Sequence, residues 1–256
     1  MNWGDLVREL DTWAESGRVA EFWWRDDDAV DATDALERLI ALHGGHSVPL
    51  LLAVIPARAR EQLADRLRAE ADIVICQHGW AHLNHSPPGR PKAELGPDRA
   101  PAYVLGELAR GALTLDRIFG ESWLRVLVPP HNRIAPVVAA GLRSAGYLGL
   151  STDKPRRPGL TDIAQVNAHV DIMNWTTRAF LGDDLALDLT IRHLQAKRTG
   201  KAAPKEPTGL LTHHLAHDEP AWGFTDRFLG AIATHRAARW CDVREIFAPA
   251  PAAGAA

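Results

Sequence analysis

Short apolar runs alternate with longer amphipathic ones along this chain. Residues 19–24, 50–55, 73–76, 124–128, 147–150, 164–170, 209–212 and 240–243 are short runs rich in apolar and aromatic residues, and read as strands. The run 50–55 is apolar at every position between Pro49 and Pro56, as in a strand buried on both faces. Residues 4–17, 57–70, 101–119, 135–145, 184–197 and 220–236 carry apolar residues near helical spacing. A further helix runs to Leu42, capped by Asp31 or Thr33 and stopped by Gly44-Gly45. Strand followed by helix, repeated, predicts an α/β fold with a parallel sheet, open or closed into a barrel.

Two segments interrupt the rhythm. Residues 85–100 are rich in Pro, Gly and charge and read as a long loop; residues 197–207 read as a basic surface loop. The tail, residues 248–256, contains only Ala, Pro and Gly and is expected to be disordered. No repeat or boundary divides the rest, so a single domain over residues 1–247 is expected.

Composition narrows the function classes. The chain is 46% hydrophobic and 24% charged, with a formal charge of −3, so no basic field attracts nucleic acid or an anionic membrane surface. Cys76 and Cys241 do not make a disulfide framework. The N-terminus lacks a basic segment followed by an apolar one, and no stretch reaches the roughly 18 apolar residues of a membrane span. The expectation is a soluble, cytoplasmic protein; its oligomeric state is not legible.

Histidine is the unusual residue. Six of the 12 histidines fall in the windows 78–85 and 213–217, where even spreading would place about 0.6. The polar clusters also follow the strand-like runs. Asp26-Asp27-Asp28 comes after Phe22-Trp23-Trp24-Arg25, His78 to His85 after the run 73–76, Pro129 to Arg133 after 124–128, and His213-His214 after 209–212. In parallel α/β folds the site lies at the C-terminal strand ends, so four clusters would converge on one mouth.

Three adjacent carboxylates repel one another unless cations relieve them. His78 and His82 are spaced to share one face of a helical turn, with His85 as an alternative partner. Two histidines and one carboxylate leave positions open for water and substrate, the pattern of a catalytic metal site. Of His213 and His214, strand alternation lets only one face the mouth. His217 and Asp218 fit the cap of the following helix.

These motifs resemble the polysaccharide deacetylases of the NodB-homology type, carbohydrate esterase family 4, and within them the members with an Arg-Asp-Asp-Asp-Ala first motif. The resemblance spans residues 22–218 as short motifs in the right order. It implies a distorted (β/α) barrel of about seven parallel strands. It also implies metal-dependent removal of acetyl groups from an N-acetylated sugar, small or oligomeric. The cofactor implied is a divalent metal, zinc first, with cobalt, nickel or iron as alternatives.

On the family's pattern Asp27 matches the base and Asp28 the ligand, with His78 and His82 completing the metal site. The extra Asp26 leaves other registers open, with Asp26 as a catalytic carboxylate. The third motif keeps Pro130 but lacks the arginine that orients the base; Arg25 or Arg133 can substitute. Leu211-Thr212-His213 makes His213 the general acid. Trp80, Pro130, His131, Asn132, Arg133, Asp171, Trp175 and His214 are then expected to line the substrate site. The competing readings are a degenerate barrel that binds metal or carbohydrate without turnover, and a different metal-dependent hydrolase.

Overall fold

A computed structural model describes residues 1–153, 155–156 and 158–248, so the tail lies outside the described residues from 249 on. The strands are β1 (Ala20–Ala29), β2 (Leu50–Val54), β3 (Ile73–His78), β4 (Trp123–Val128), β5 (Gly149–Leu150), β6 (Ala164–Gln165), β7 (Val170–Asp171), β8 (Met173–Asn174), β9 (Ala179–Phe180), β10 (Thr208–Thr212) and β11 (Ala238–Trp240). The helices are α1 (Trp3–Glu15), α2 (Asp34–His46), α3 (Glu61–Leu67), α4 (Pro101–Phe119), α5 (Pro136–Ala140), α6 (Asp183–Arg198), α7 (Glu219–Thr234) and α8 (Val243–Ile246).

The main sheet runs β6-β5-β4-β3-β2-β1-β10-β7, every pair parallel, with β11 beside the first residues of β1. The run 164–170, expected to be one strand, splits into β6 at one edge and β7 at the other. Only residues 166–169 separate them in sequence, so the sheet must curl into a distorted barrel. The indole of Trp23 donates to Asn167 O across this seam at 3.1 Å.

Strand alternation sorts the core into two layers. Trp23, Leu51, Ala53, Val74, Cys76, Val126 and Val128 form the inner cluster. Trp24, Leu50, Leu52, Ile73, Ile75 and Leu210 pack in the outer cluster with α1, α2, α6 and α7. Among the described residues no helix is long and apolar enough to cross a membrane.

Several elements depart from the sequence pattern. β1 continues through the three aspartates, because their carboxylates find buried partners inside the fold. α2 passes through Gly44-Gly45 and ends at left-handed Ser47, while Thr33 caps its start. Residues 57–70 become a 3-10 turn and the short α3. The hairpin of β8 and β9 carries no local signal.

A buried polar cluster lies at the N-terminal ends of β7 and β10, away from the mouth. The rings of His169 and His193 stack with centroids 3.6 Å apart. His193 Nδ1 is 3.0 Å from Thr208 Oγ1, and His169 Nδ1 accepts the Gly209 N–H at 3.1 Å. Burial, then the charges of His169 and Lys197, push His193 down to about 2. Unfolded, it titrates near pH 6.5. Between those values the unfolded chain binds a proton that the native chain does not, so stability falls as pH drops through 6.5. The melting temperature is expected to fall from pH 7 to pH 5, and His193→Gln to flatten that slope. An unchanged slope in the variant would remove His193 from the account.

Candidate metal centre and active site

The end of β1 sets the geometry. Its pairing with β2 shifts register between Asp26 and Ala29, and Asp28 adopts φ 76°. This irregularity, like a bulge, re-aims side chains at the strand end. Asp27 faces inward in line with Trp23 and Arg25. Asp28 turns toward β3.

His78 is the last residue of β3. Its Nδ1 lies 3.0 Å from Val128 O. A carbonyl only accepts, so Nδ1 carries the proton and Nε2 presents a lone pair when the ring is neutral. That Nε2 is 3.2 Å from Asp28 Oδ1, and His82 Nε2 is 3.3 Å from the same oxygen. The three ligand atoms lie within 4.8 Å of one another, and Asp28 Oδ1 is buried without a hydrogen-bond partner. A carboxylate oxygen facing two imidazole nitrogens offers a cation three ligand atoms. This donor set fits a divalent transition metal with open positions. The Val128 carbonyl would orient His78 from behind.

The two histidines do not share a helical turn, as their spacing suggested. His78 ends a strand, and the chain then folds back through Gly79 (φ 57°) to His82 (φ 59°). Glu94, fully buried, holds this loop: its carboxylate accepts the N–H groups of Trp80, Ala81 and Leu83 at 2.9, 2.8 and 3.2 Å. Nothing in the sequence marks Glu94 beyond its place in the 85–100 loop. Gly79 is required on two counts. A Cβ there would meet Glu94 Oε2 at 2.1 Å and Pro130 ring carbons at 2.5 Å, and its φ is left-handed. Gly79→Ser is therefore expected to cost at least about 1–3 kcal/mol and to weaken metal binding. Thermal melts and metal titration of the variant would check both.

Electrostatics also focus on this corner. Burial alone would raise the Asp28 carboxyl, but contact with His78 and the charges of His78, His213 and His82 hold it well below the carboxylate range. Burial would lower His78, but Asp27 and Asp28 raise it above the ordinary histidine value. His82 goes down, because burial and the neighbouring His78 both oppose its cation.

Asp27 is 2% exposed and Arg25 0%. Arg25 Nε is 3.0 Å from Asp27 Oδ1, and Nη2 donates to Oδ2 at 3.1 Å. The guanidinium is itself fixed: Nη1 donates to Ser151 Oγ at 2.7 Å and Thr152 O at 3.2 Å, and Nη2 to Asn132 Oδ1 at 2.7 Å. Of the two candidate substitutes for the missing arginine, Arg25 stands beside Asp27. Arg133 is exposed and donates instead to Lys92 O and His131 O at 3.0 and 3.5 Å.

His213 follows β10, with Nε2 3.9 Å from Asp27 Oδ2. Trp175, 50% exposed, meets the His213 ring nearly edge-on at 4.5 Å, and its indole donates to Asp171 Oδ2 at 2.8 Å. The mouth thus collects Asp27, Asp28, His78, His82, His213 and Trp175 from the ends of β1, β3, β8 and β10.

Asp26 and His214, both expected at the site, do not reach it. Asp26 points to the outer layer, because successive strand residues face opposite sides. Its carboxylate accepts from Thr212 Oγ1 at 2.6 Å, from His214 N–H at 3.0 Å and from the His214 ring. Burial opposes its ionisation, but His214 outweighs this and keeps Asp26 below the usual range. Asp26 and His214 are sealed against each other and meet no substrate. Asp218 caps α7 by accepting the Ala221 N–H at 2.9 Å.

The remaining residues divide. Pro130 is buried against Gly79, and Arg110 covers the Trp80 indole at 4.7 Å, so both serve packing. The His131 ring meets that of His82 at 4.7 Å. Burial, then the charges of His82, Lys92 and Arg133, push His131 down to about 4. Of the six non-glycine residues at positive φ among those described, Asp28, His82, His131 and Asn132 belong to this corner. Strained backbone collects where side chains are aimed at a site rather than at the core.

No protein-family model matches the chain, and no curated protein does. Solved structures do. A putative polysaccharide deacetylase from Mycobacterium smegmatis is similar at TM-score 0.59 and 17% identity, over 90% of each chain. The chitin deacetylase of the fungal pathogen Colletotrichum lindemuthianum is similar at TM-score 0.57 and 14% identity, over 91% of this chain and 90% of that one. A family 4 acetyl xylan esterase from Clostridium thermocellum, in complex with a cobalt ion, is similar at TM-score 0.55 and 13% identity, over 89% and 90%. The chain therefore has the distorted (β/α) barrel fold of these proteins.

Proposed function

We propose that this chain is a member of the NodB-type polysaccharide deacetylases and removes acetyl groups from an N-acetylated sugar with the help of a divalent metal. The observation that carries this reading is the meeting of Asp28, His78 and His82 with Asp27 and His213 at one mouth. The named activities of the proteins that share the fold support it.

Asp28 Oδ1 and the Nε2 atoms of His78 and His82 would hold the ion, zinc first among zinc, cobalt, nickel and iron. When bound, it supplies Lewis acidity that polarises the acyl carbonyl and acidifies the attacking water. Asp27 accepts the water proton. Arg25 holds that carboxylate in one orientation and offsets its buried charge, in the place of the arginine missing after β4. His213, within 4 Å of Asp27, donates a proton to the departing nitrogen, which otherwise would leave as an amide anion. The exposed Trp175 edge beside His213 offers an apolar face to a sugar ring.

The test is metal content of the purified protein, then acetate release from N-acetylglucosamine oligomers before and after chelation, beside a panel of phosphoesters. Metal-restored acetate release supports the reading. Phosphoester cleavage instead would replace it with another metal hydrolase. Bound metal without turnover of any substrate would replace it with a binding module. A chain that takes up no zinc or cobalt would refute the metal centre.

A further inference from the structure

A cavity of about 330 Å³ opens between the 85–98 loop and the residues that follow β4 and β5. Arg90, Asp98, Asn132, Arg133, Thr152 and Leu160 are among its walls. Asn132 and Thr152 are also the residues that hold Arg25, which holds Asp27. The cavity therefore shares two wall residues with the support of the base.

Its charge is lopsided. Arg90 and Asp98 neutralise each other at 3.2 Å. Arg133 pairs with no carboxylate among the described residues, and neither does Lys92, which lies between the wall residues Pro91 and Ala93 in the chain. Arg133 is anchored through Nη1 alone, on the carbonyls of Lys92 and His131. Among the described residues its Nε and Nη2 donors have no partner. An exposed arginine is ordinarily a solvated side chain. This one is tethered by backbone at the wall of a cavity, so less rotamer freedom is lost when an oxyanion meets its open edge. A neutral glycan can accept hydrogen bonds there, but an oxyanion gains the stronger charge-assisted ones.

We infer that this cavity binds an anionic group, phosphate or carboxylate, carried by the substrate, with Arg133 as its contact and Lys92 adding positive charge. The inference rests on the deacetylase reading and names its substrate class: an acidic N-acetylated sugar rather than a neutral polymer.

The test compares acetate release by the metal-loaded protein from N-acetylglucosamine 1-phosphate, N-acetylglucosamine 6-phosphate and N-acetylmuramic acid with release from N-acetylglucosamine and its dimer. At least one anionic substrate is expected to exceed the neutral ones in kcat/KM by about tenfold or more, the scale of a hydrogen bond to a charged group. That ratio is expected to fall with salt and to collapse in Arg133→Gln. The two phosphates against the carboxylate tell which oxyanion is taken. Equal kcat/KM for neutral and anionic substrates, or a ratio that survives in Arg133→Gln, overturns the inference and leaves the deacetylase reading standing. If no substrate releases acetate, the deacetylase reading fails, and calorimetry still judges the cavity. Glucose 6-phosphate titrated into the wild type and Arg133→Gln would bind about tenfold more weakly to the variant if the site exists. Equal binding by the two proteins would overturn it.

Discussion

Asp27→Asn is expected to lower kcat by about 10²–10⁴-fold, the contribution of a positioned base, while the protein keeps its full metal content. Asp28→Ala and His78→Ala are expected to lose the metal and, with it, more activity than the roughly 10–100-fold that loss of an outer partner costs. The contrast separates two neighbouring carboxylates that the sequence presents as equivalents. Asp28 shares one oxygen between two imidazole nitrogens. Asp27 lies between Arg25 and His213. Metal analysis and steady-state kinetics on the same preparations would read both. Metal loss from Asp27→Asn with retention in Asp28→Ala would reverse the assignment. Asp26→Ala completes the set. It leaves the buried His214 and Thr212 groups without their partner, so its expected effect is a stability loss on the order of 1–3 kcal/mol, with metal content unchanged.

Arg25→Met carries the second large expectation. The substitution keeps an unbranched side chain in the inner layer but leaves Asp27 buried without its cation. Breaking a buried pair in this way costs about 3–5 kcal/mol. The chain would melt well below the wild type, and surviving folded protein would retain metal, because none of the three ligand atoms belongs to Arg25. Its kcat is expected to fall by about 10²-fold or more, since the base loses the group that orients it. Arg25→Lys restores a charge but not the fork that spans Asp27, Asn132 and Ser151, so it should recover stability more than turnover. Full turnover in Arg25→Met would show that Asp27 needs no such partner.

The local pattern carried much of this architecture. Apolar runs placed the cores of β1, β2, β3, β4 and β10, because a strand buried on both faces must be apolar throughout. Helical spacing placed α1, α4, α6 and α7, and Thr33 and Asp218 cap helices as their side chains predict. The pattern failed where charge enters the core. β1 was expected to end at Trp24, yet it carries Arg25, Asp26 and Asp27 through the interior on buried partners. Hydropathy alone cannot read such a strand, since its solvation is supplied by residues elsewhere.

The site divides along the same line. By itself the sequence determined which residue types gather at the strand ends, because strand order and the positions that follow each apolar run are local properties. It also determined that only one of His213 and His214 can face the mouth, through the period of a strand. Only the tertiary structure decided which aspartate is which, since a register shift of β1 against β2 aims Asp28 at the histidines. It alone brought Asn132 and Ser151, 107 and 126 residues away in sequence, onto Arg25, and folded Glu94 under the loop that carries His82. These partners are chosen by sheet register and loop closure, which are set by packing over the whole barrel and leave no mark in any short window of the chain.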